Sequence, residues 1–304
     1  MPPLPRIVPV LAFVLALAAP RGFAATITVG SKIDTEGALL GNLMLLLLER
    51  DGLDVASRIG LGPTSIVRAA ILAGEIDVYP EYTGDGAIFF HSADDRAWRD
   101  PKAGYALVKR LDYQRNHLVW LAPAPANNSW AIAVRHGLAA TIGGSLDGLA
   151  HYVRAGKHLR LAASAEFVES PGGLPAFEQA YHFSLKDTQL LVLAGGDTSA
   201  TLRAAAEGIS GVNAAMAYGT DGAVAALGLT ILADTKHAEI VYEPAPVIRE
   251  AVLKAHPEIA GLFDPVFRSL TLERLQHLNA AIAVDGLDAR RVAADYLTQQ
   301  GFAR

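Results

Sequence analysis

Short apolar runs rich in β-branched residues alternate along this chain with longer apolar patterns of helical period. Residues 26–30 and 55–59 predict strands, and residues 36–50 predict a helix because leucines recur there three and four positions apart. A second helix is expected to end at Gly74, and residues 76–79 predict a third strand. The alternation predicts an α/β fold with mainly parallel sheets.

Two turn-rich segments interrupt this pattern and mark candidate crossings between two lobes. Residues 122–128 are rich in Ala, Pro and Asn, and a second such segment covers residues 239–246. Because the chain crosses twice, one lobe is inserted into the other. We predict a first lobe of residues 26–127 plus 241–304 and a second lobe of residues 128–240, with a ligand cleft and a hinge between them.

The rest of the chain is predicted to add helices and strands to both lobes. Residues 101–111 predict a helix, and residues 118–121 and 130–134 predict strands. The tail predicts helices over residues 272–283 and 289–299. We expect this tail to pack back onto the first lobe.

The amino terminus has the pattern of a secretory signal peptide. Residues 7–19 form an uncharged apolar run after Arg6, and the small residues Gly22 and Ala24 suit a cleavage site. The run is shorter than the roughly 20 residues that a membrane span needs. We therefore predict a cleaved signal peptide over residues 1–24 and a periplasmic mature protein, with an uncleaved anchor as the alternative.

Composition narrows the classes of function. The 304 residues suffice for about two domains, and the absence of cysteine excludes disulfide-stapled folds and Cys-ligated metal centres. The net charge of −5 argues against nucleic acid as a partner, since such proteins need a basic surface. Aromatic residues make up only 7% of the chain, so an aromatic side chain in a polar stretch becomes a candidate for ligand binding.

Searches for catalytic and cofactor chemistry find no complete motif. Residues 143–148 hold a serine among glycines, but the spacing differs from that of a hydrolase nucleophile. The other glycine-rich segments lack the spacing of nucleotide sites, and the nine histidines form no metal-binding motif. Asp77, Glu81 and Asp85 are four residues apart, yet Pro80 breaks any helix that would align them. The sequence predicts no enzyme activity, no metal site and no cofactor.

Two predicted strand ends carry similar candidate binding chemistry. Residues 76–86 and 214–222 each place a tyrosine at a strand exit, followed by Thr, Gly and Asp before an apolar helix. Helix capping with tyrosines at the rim of the core is the alternative reading of one such segment. Trp130 and Tyr242 add an aromatic side chain at each proposed crossing. Aromatic faces converging on one cleft would suit a quaternary ammonium, which has no N–H to donate and gains from cation–π contact.

At these positions the sequence resembles the substrate-binding proteins of osmoprotectant ABC importers, the glycine betaine and choline binders of the ProX and OpuAC type. The resemblance covers essentially the whole mature chain. Residues 210–218 and 278–288 look most like the YehZ/OsmF branch. The motifs that carry the resemblance are Val-Gly-Ser-Lys at 29–32 with Thr35 and Glu36, Tyr-Pro-Glu-Tyr-Thr-Gly at 79–84, Asn-Asn-Ser-Trp at 127–130, Ala-Tyr-Gly-Thr-Asp-Gly at 217–222, and Tyr242 with Pro246.

The resemblance implies a two-lobed periplasmic binding protein fold and a set of ligand contacts. The trimethylammonium head would lie in an aromatic box formed by Tyr82, Trp130, Tyr218 and Tyr242. Polar contacts to the rest of the ligand would come from Lys32, Thr83 and Thr220, of which the first two face the ligand carboxylate. The implied partners are an ABC permease and its ATPase, and we expect the binding protein to be a monomer.

One position departs from the family pattern. The family usually offers an arginine to the ligand carboxylate, and Ser170 stands at the matching position, flanked by Glu169. Because an arginine–carboxylate pair is a strong, charge-assisted contact, its loss predicts weaker betaine binding. Glu169 either favours a ligand without a carboxylate, such as choline, or is simply solvated.

Three rival interpretations remain open at this stage. The same fold serves receptors for other small solutes, such as an amino acid, and solute-binding domains that act as sensors. An exported enzyme is the third rival, although no catalytic constellation supports it. The sequence thus favours a receptor for a quaternary-ammonium osmoprotectant without fixing which osmolyte it binds.

Overall fold

The computed structural model describes residues 26–193 and 198–302, so the signal peptide predicted over residues 1–24 lies outside the described residues. Within those ranges the chain forms ten strands, β1 to β10 in chain order, which span Ile27–Lys32, Val55–Gly62, Val78–Tyr82, Leu118–Trp120, Trp130–Arg135, Leu161–Ser164, Leu190–Leu193, Ala214–Tyr218, Leu229–Ile231 and Pro244–Arg249. The fourteen described α-helices, α1 to α14, span Thr35–Arg50, Thr64–Ala73, Asp85–Phe89, Pro101–Asn116, His136–Ile142, Leu146–Arg154, Ala165–Glu169, Leu174–Tyr181, Thr198–Glu207, Ala223–Ala226, Glu250–Ala255, Glu258–Ser269, Leu272–Ala283 and Ala289–Gln299.

The strands form two five-stranded sheets. The first sheet has the order β2-β1-β3-β10-β4, and the second has the order β7-β6-β8-β5-β9. All strands of the second sheet lie between residues 130 and 231, whereas the first sheet combines early strands with β10 near residue 244. One α/β unit is therefore inserted into the chain of the other. The lobe boundaries at residues 127 and 241 stay a prediction.

Both sheets are mixed, so the prediction of mainly parallel sheets is wrong. Four of the eight ladders among the described strands are antiparallel, namely those that β10 makes with β3 and β4 and those that β5 makes with β8 and β9. Strands β5 and β10 are the first strands after each crossing of the chain. They enter their sheets from the other sheet and not through a returning helix, so nothing forces them parallel to their neighbours.

Local sequence explains the helices that position the cleft. The Asp34 side chain accepts a hydrogen bond from the Gly37 N–H and so caps α1. Residues 39–48 of that helix are all buried, because α1 lies between the first sheet and α12 to α14. Helix α2 ends at Gly74, whose left-handed conformation (φ +76°) is the termination expected of glycine there.

Several predicted strand bounds shift. Strand β2 continues to Gly62, and β3 begins at Val78 and runs through Pro80 to Tyr82. Pro80 lies opposite Pro246 of β10 in the antiparallel register. Both prolines are tolerated there because neither backbone nitrogen is needed for the ladder at that pair. The tail helices α13 and α14 have the predicted bounds. As predicted, they pack on α1 in the first core, which is the apolar cluster between the first sheet and helices α1, α12, α13 and α14.

The two connections between the sheets run side by side. The Asn128 N–H donates to the Tyr242 carbonyl oxygen across 2.9 Å, and the Tyr242 N–H donates to Asn127 Oδ1 across 2.8 Å. Ser129 Oγ donates to the Ile240 carbonyl oxygen across 2.5 Å. These bonds tie both crossings into one narrow neck between the sheets. Among the described residues, no helix combines the length and the apolar character that a membrane crossing requires.

Candidate functional site

A cavity of about 570 Å³ lies between the two sheets, next to this neck. Its walls come from the ends of β1, β3 and β8, from the first turns of α1 and α9, and from α13. Five of the eight predicted binding residues line it, namely Lys32, Tyr82, Tyr218, Thr220 and Tyr242. The fold thus brings residues separated by more than 200 positions to one site.

Tyr82 is held firmly at the end of β3. The side chain is buried, and its hydroxyl donates a hydrogen bond to Glu36 Oε1 across 2.8 Å. Burial, with the nearby Glu36 carboxylate, raises the pKa of Tyr82 well above its ordinary value, so the ring stays neutral. Lys32 Nζ lies 4.6 Å from the centroid of this ring, so the ring already contacts a cation of the protein itself.

Tyr218 and Tyr242 contribute two further rings. Tyr218 ends β8, and its N–H donates to Asp221 Oδ2 across 2.8 Å. Tyr242 lies against Gly84 so closely that a Cβ at Gly84 would be 2.7 Å from Tyr242 Cδ1, which explains why glycine is required there. Burial raises the pKa of both phenols, so they too remain uncharged.

Lys32 is paired inside the protein. Its Nζ lies 2.6 Å from Glu81 Oε1 and 2.6 Å from Asp85 Oδ2. Burial alone would lower the pKa of Lys32, but the two carboxyl groups raise it overall, so the ammonium is charged. Glu81 and Asp85, two of the three acids considered above as candidates for catalysis, are thus explained as partners of Lys32.

The Glu36 carboxylate is the centre of a buried hydrogen-bond network on the cavity wall. Besides Tyr82, it accepts from Asn279 Nδ2 across 2.7 Å and from Asn128 Nδ2 across 3.4 Å. Burial raises the pKa of Glu36, while hydrogen bonds from Thr220, Tyr82 and Asn279 oppose that rise. Thr220 of the second sheet's loop and Glu36 of α1 therefore meet across the cleft.

Three predicted binding residues do not line the cavity. Thr83 is buried behind it, where its Oγ1 donates to the Val241 carbonyl oxygen across 3.0 Å. Trp130 packs edge-on against Phe167 with ring centroids 5.7 Å apart, and its Cα is paired with that of Tyr218 in the adjacent strand. Trp130 thus supports Tyr218 from the apolar core on the second sheet, which contains Phe167.

Ser170, the third of these residues, lies just after α7, and its backbone N–H donates to the Glu166 carbonyl oxygen across 2.8 Å. The adjacent Glu169 is exposed, which agrees with its interpretation as a solvated side chain. Neither residue borders the cavity.

The described cavity wall is acidic overall. Its charged side chains are four acids and one base: Asp34, Glu36, Asp85, Asp221 and Lys32. No arginine is among the described lining residues, and Lys32 is already paired. Such a wall favours a ligand with a positive head. Within residues 26–193 and 198–302, no cluster of three His, Asp or Glu side chains is placed to hold a metal ion.

Sequence reasoning assigned no role to Glu36, Asp85 or Asn279. Glu36 and Asn279 lay inside segments that carried the family resemblance, which was the available signal. Their pairing joins positions 243 residues apart, so no local pattern could reveal it.

Comparison with known proteins finds close relatives. A family model for the substrate binding domain of ABC-type glycine betaine transport systems matches residues 25–299. The glycine betaine-binding protein YehZ of Escherichia coli (strain K12) is 54% identical over 295 residues, which cover 97% of each chain. A glycine-betaine-binding protein of Pseudomonas aeruginosa is 33% identical over 285 residues, covering 91% of this chain and 88% of that protein. The structure of apo YehZ from Escherichia coli matches with a TM-score of 0.84 and 56% identity, covering 92% of this chain and 100% of that chain.

Proposed function

The chain belongs to the family of substrate-binding domains of ABC-type glycine betaine transport systems, and from that premise we propose how its cleft holds the ligand. It is a glycine betaine-binding transport protein and not an enzyme. We propose that Tyr82, Tyr218 and Tyr242 enclose the trimethylammonium head, with Trp130 supporting Tyr218 from behind. The observation that carries this proposal is that three neutral tyrosines line one cavity.

Cation–π contact is the physical basis of the proposed selectivity. A quaternary ammonium cannot donate a hydrogen bond, so it binds where ring faces replace its water shell. Each ring contributes about 0.5 to 2 kcal/mol, depending on how completely the contact is desolvated. The acidic cavity wall adds a favourable field for the positive head.

The carboxylate end of betaine is held less strongly in this proposal. Thr220 lines the cavity and Lys32 is charged, but Glu81 and Asp85 already neutralise the ammonium. Ser170 offers no guanidinium and lies outside the cavity. We therefore place betaine affinity below that of a site with a free arginine.

The transport cycle is part of the same proposal and is supported by membership of the family. The ligand is captured as the two lobes close about the neck, and the closed protein presents it to a membrane permease driven by an ATPase. We place the mature chain in the periplasm after removal of the signal peptide. A monomer suffices, because one chain supplies both walls of the cavity.

Calorimetry on the mature chain tests the proposal. Titration with glycine betaine, choline and carnitine should give saturable heat, and Tyr82→Ala combined with Tyr218→Ala should weaken binding at least tenfold. The control is Tyr113→Ala, an exposed tyrosine on α4, which should leave affinity unchanged. No heat with any of the three, but saturable binding of an amino acid, would favour the alternative receptor class.

A further inference from the structure

Asn279 of α13 reaches both sides of the cleft with one amide nitrogen. Its Nδ2 donates to Glu36 Oε2 across 2.7 Å and to the Thr220 carbonyl oxygen across 3.0 Å. The side chain is only 5% exposed, so water does not compete for these bonds. Glu36 belongs to α1, whereas Thr220 follows β8 of the second sheet. A tail residue thus connects the two halves of the site.

The two oxygens of Glu36 serve different partners. Oε1 accepts from the Tyr82 hydroxyl and from Asn128 Nδ2, whereas Oε2 accepts from Asn279. Through Oε1 the carboxylate orients a ring of the proposed aromatic box. Through Oε2 and Asn279 it is tied to the loop that follows Tyr218, in addition to its direct hydrogen bond with Thr220 of that loop.

Backbone packing brings α13 against the same loop. A Cβ at Gly222 would lie 2.1 Å from the Ala280 nitrogen, so only glycine permits this approach. One turn before Asn279, Gln276 Nε2 donates to the Gly219 carbonyl oxygen across 2.8 Å. Leu275 of the same helix is buried in the first core. The helix is therefore anchored on one lobe and holds a loop of the other.

We propose that the Glu36–Asn279 pair is a clasp that fixes the loop of residues 219–222 at the cleft, and that Asn279 is a positioning residue for the bound ligand. This inference rests on the proposed binding of a quaternary ammonium in that cleft. Breaking the clasp removes one of the contacts that hold the loop after Tyr218, alongside the Gln276 hydrogen bond and the packing at Gly222. One wall of the box is then held less firmly, and the ligand dissociates faster.

Reversing the polarity of the pair tests the clasp. Asn279→Asp replaces the donor with an acceptor and sets two carboxylates together, so affinity for glycine betaine should fall at least tenfold at neutral pH and recover partly at pH 5. Glu36→Gln keeps Oε1 as an acceptor and turns Oε2 into a donor. The double variant restores a donor–acceptor pair between positions 36 and 279. Its affinity for glycine betaine should be at least tenfold higher than the value obtained by multiplying the fold-losses of the two single variants.

The matched control is Gln276→Glu. It makes the same amide-to-acid change on the same helix and against the same loop, but its partner is Gly219. When Gln276→Glu is combined with Glu36→Gln, the fold-changes in glycine betaine affinity of the two single variants should simply multiply. Thermal unfolding of every variant establishes that each is folded. If the fold-changes in glycine betaine affinity of Glu36→Gln and Asn279→Asp simply multiply in the double variant, the proposed clasp is wrong.

A second readout does not depend on the ligand. Because the chain contains no cysteine, Glu75→Cys and Lys157→Cys place one spin label on each lobe at exposed positions. Asn279→Asp should shift the mean inter-label distance by more than about 2 Å, and adding Glu36→Gln should reverse part of that shift, because only the bond between positions 36 and 279 is restored and the Thr220 carbonyl still faces an acceptor. If betaine fails to bind while the shift occurs, the proposed function fails and the clasp stands. If betaine binds but neither affinity nor distance responds to Asn279→Asp, the clasp is refuted.

Discussion

Lys32 Nζ lies 2.6 Å from Asp85 Oδ2, and this ion pair forms part of the cavity wall. The ammonium also contacts Glu81 at 2.6 Å and stands 4.6 Å from the centre of the Tyr82 ring. The protein therefore supplies its own anions to the cation nearest the site. A ligand carboxylate must therefore compete with Glu81 and Asp85 for this ammonium.

The first prediction concerns this competition. Asp85→Asn leaves Lys32 with one carboxyl partner, so the ammonium becomes more available to a ligand carboxylate. We expect the ratio of betaine affinity to choline affinity to rise roughly tenfold, because a charge-assisted hydrogen bond is gained by betaine alone. Competitive titration calorimetry measures this ratio.

The control for that experiment is Asp295→Asn, which removes an exposed acid that does not line the cavity and leaves Lys32 untouched. It should not alter the ratio. An unchanged ratio in Asp85→Asn would mean that Lys32 does not meet the ligand carboxylate.

The second prediction tests whether Trp130 supports Tyr218 or contacts the ligand directly. Trp130→Leu removes the edge-on contact with Phe167, so the free energy of unfolding should fall by about 1–3 kcal/mol. Betaine affinity should fall less than in Tyr218→Leu, because Tyr218 lines the cavity and Trp130 does not. Denaturant unfolding and calorimetry on both variants give the two quantities.

The opposite pattern would contradict this assignment. If Trp130→Leu weakens binding as much as Tyr218→Leu and leaves the free energy of unfolding unchanged, Trp130 contacts the ligand directly.

The third prediction is a pH dependence of stability that arises at Glu239, beside the second crossing. Burial, together with the nearby Asp234 and against the opposing effect of Arg99, raises the pKa of this carboxyl from an ordinary 4.5 to about 9. Between those values the folded chain binds a proton that the unfolded chain has lost. Stability should therefore decrease as pH rises through this window, by roughly 1.4 kcal/mol per pH unit from this group.

Glu239→Gln removes this contribution, since the amide resembles the protonated acid. The variant and the unmodified protein should be similarly stable near pH 5, and the variant should gain steadily up to pH 8. Urea unfolding at four pH values measures the difference, with the exposed Glu207→Gln as control. A constant difference across pH would show that Glu239 is ionised in the folded protein.

The elements that follow from local pattern were predictable. The tail helices match their expected bounds because their apolar spacing and caps lie within a dozen residues. The antiparallel placement of β10 beside β3 was not predictable, since Ile248 pairs with Val78 across 170 residues of chain. The period of apolar side chains along a strand indicates which face of the strand is buried. It does not indicate which distant strand pairs with it.

The candidate site was likewise predictable only in part from the sequence. Tyr82, Tyr218 and Tyr242 stood out because aromatic residues are scarce and occupy family motifs, and all three line the cavity. The neutralisation of Lys32 depends on Glu81, which approaches it only after β1 and β3 pair. Such electrostatic coupling is a property of the folded chain.

A crystal structure of the mature chain with bound glycine betaine tests the central claim most directly. We predict the trimethylammonium nitrogen within about 6 Å of the ring centroids of Tyr82, Tyr218 and Tyr242. We also predict the carboxylate directed toward Thr220. A trimethylammonium head bound away from these rings, or a ligand bound outside this cavity, would contradict the account.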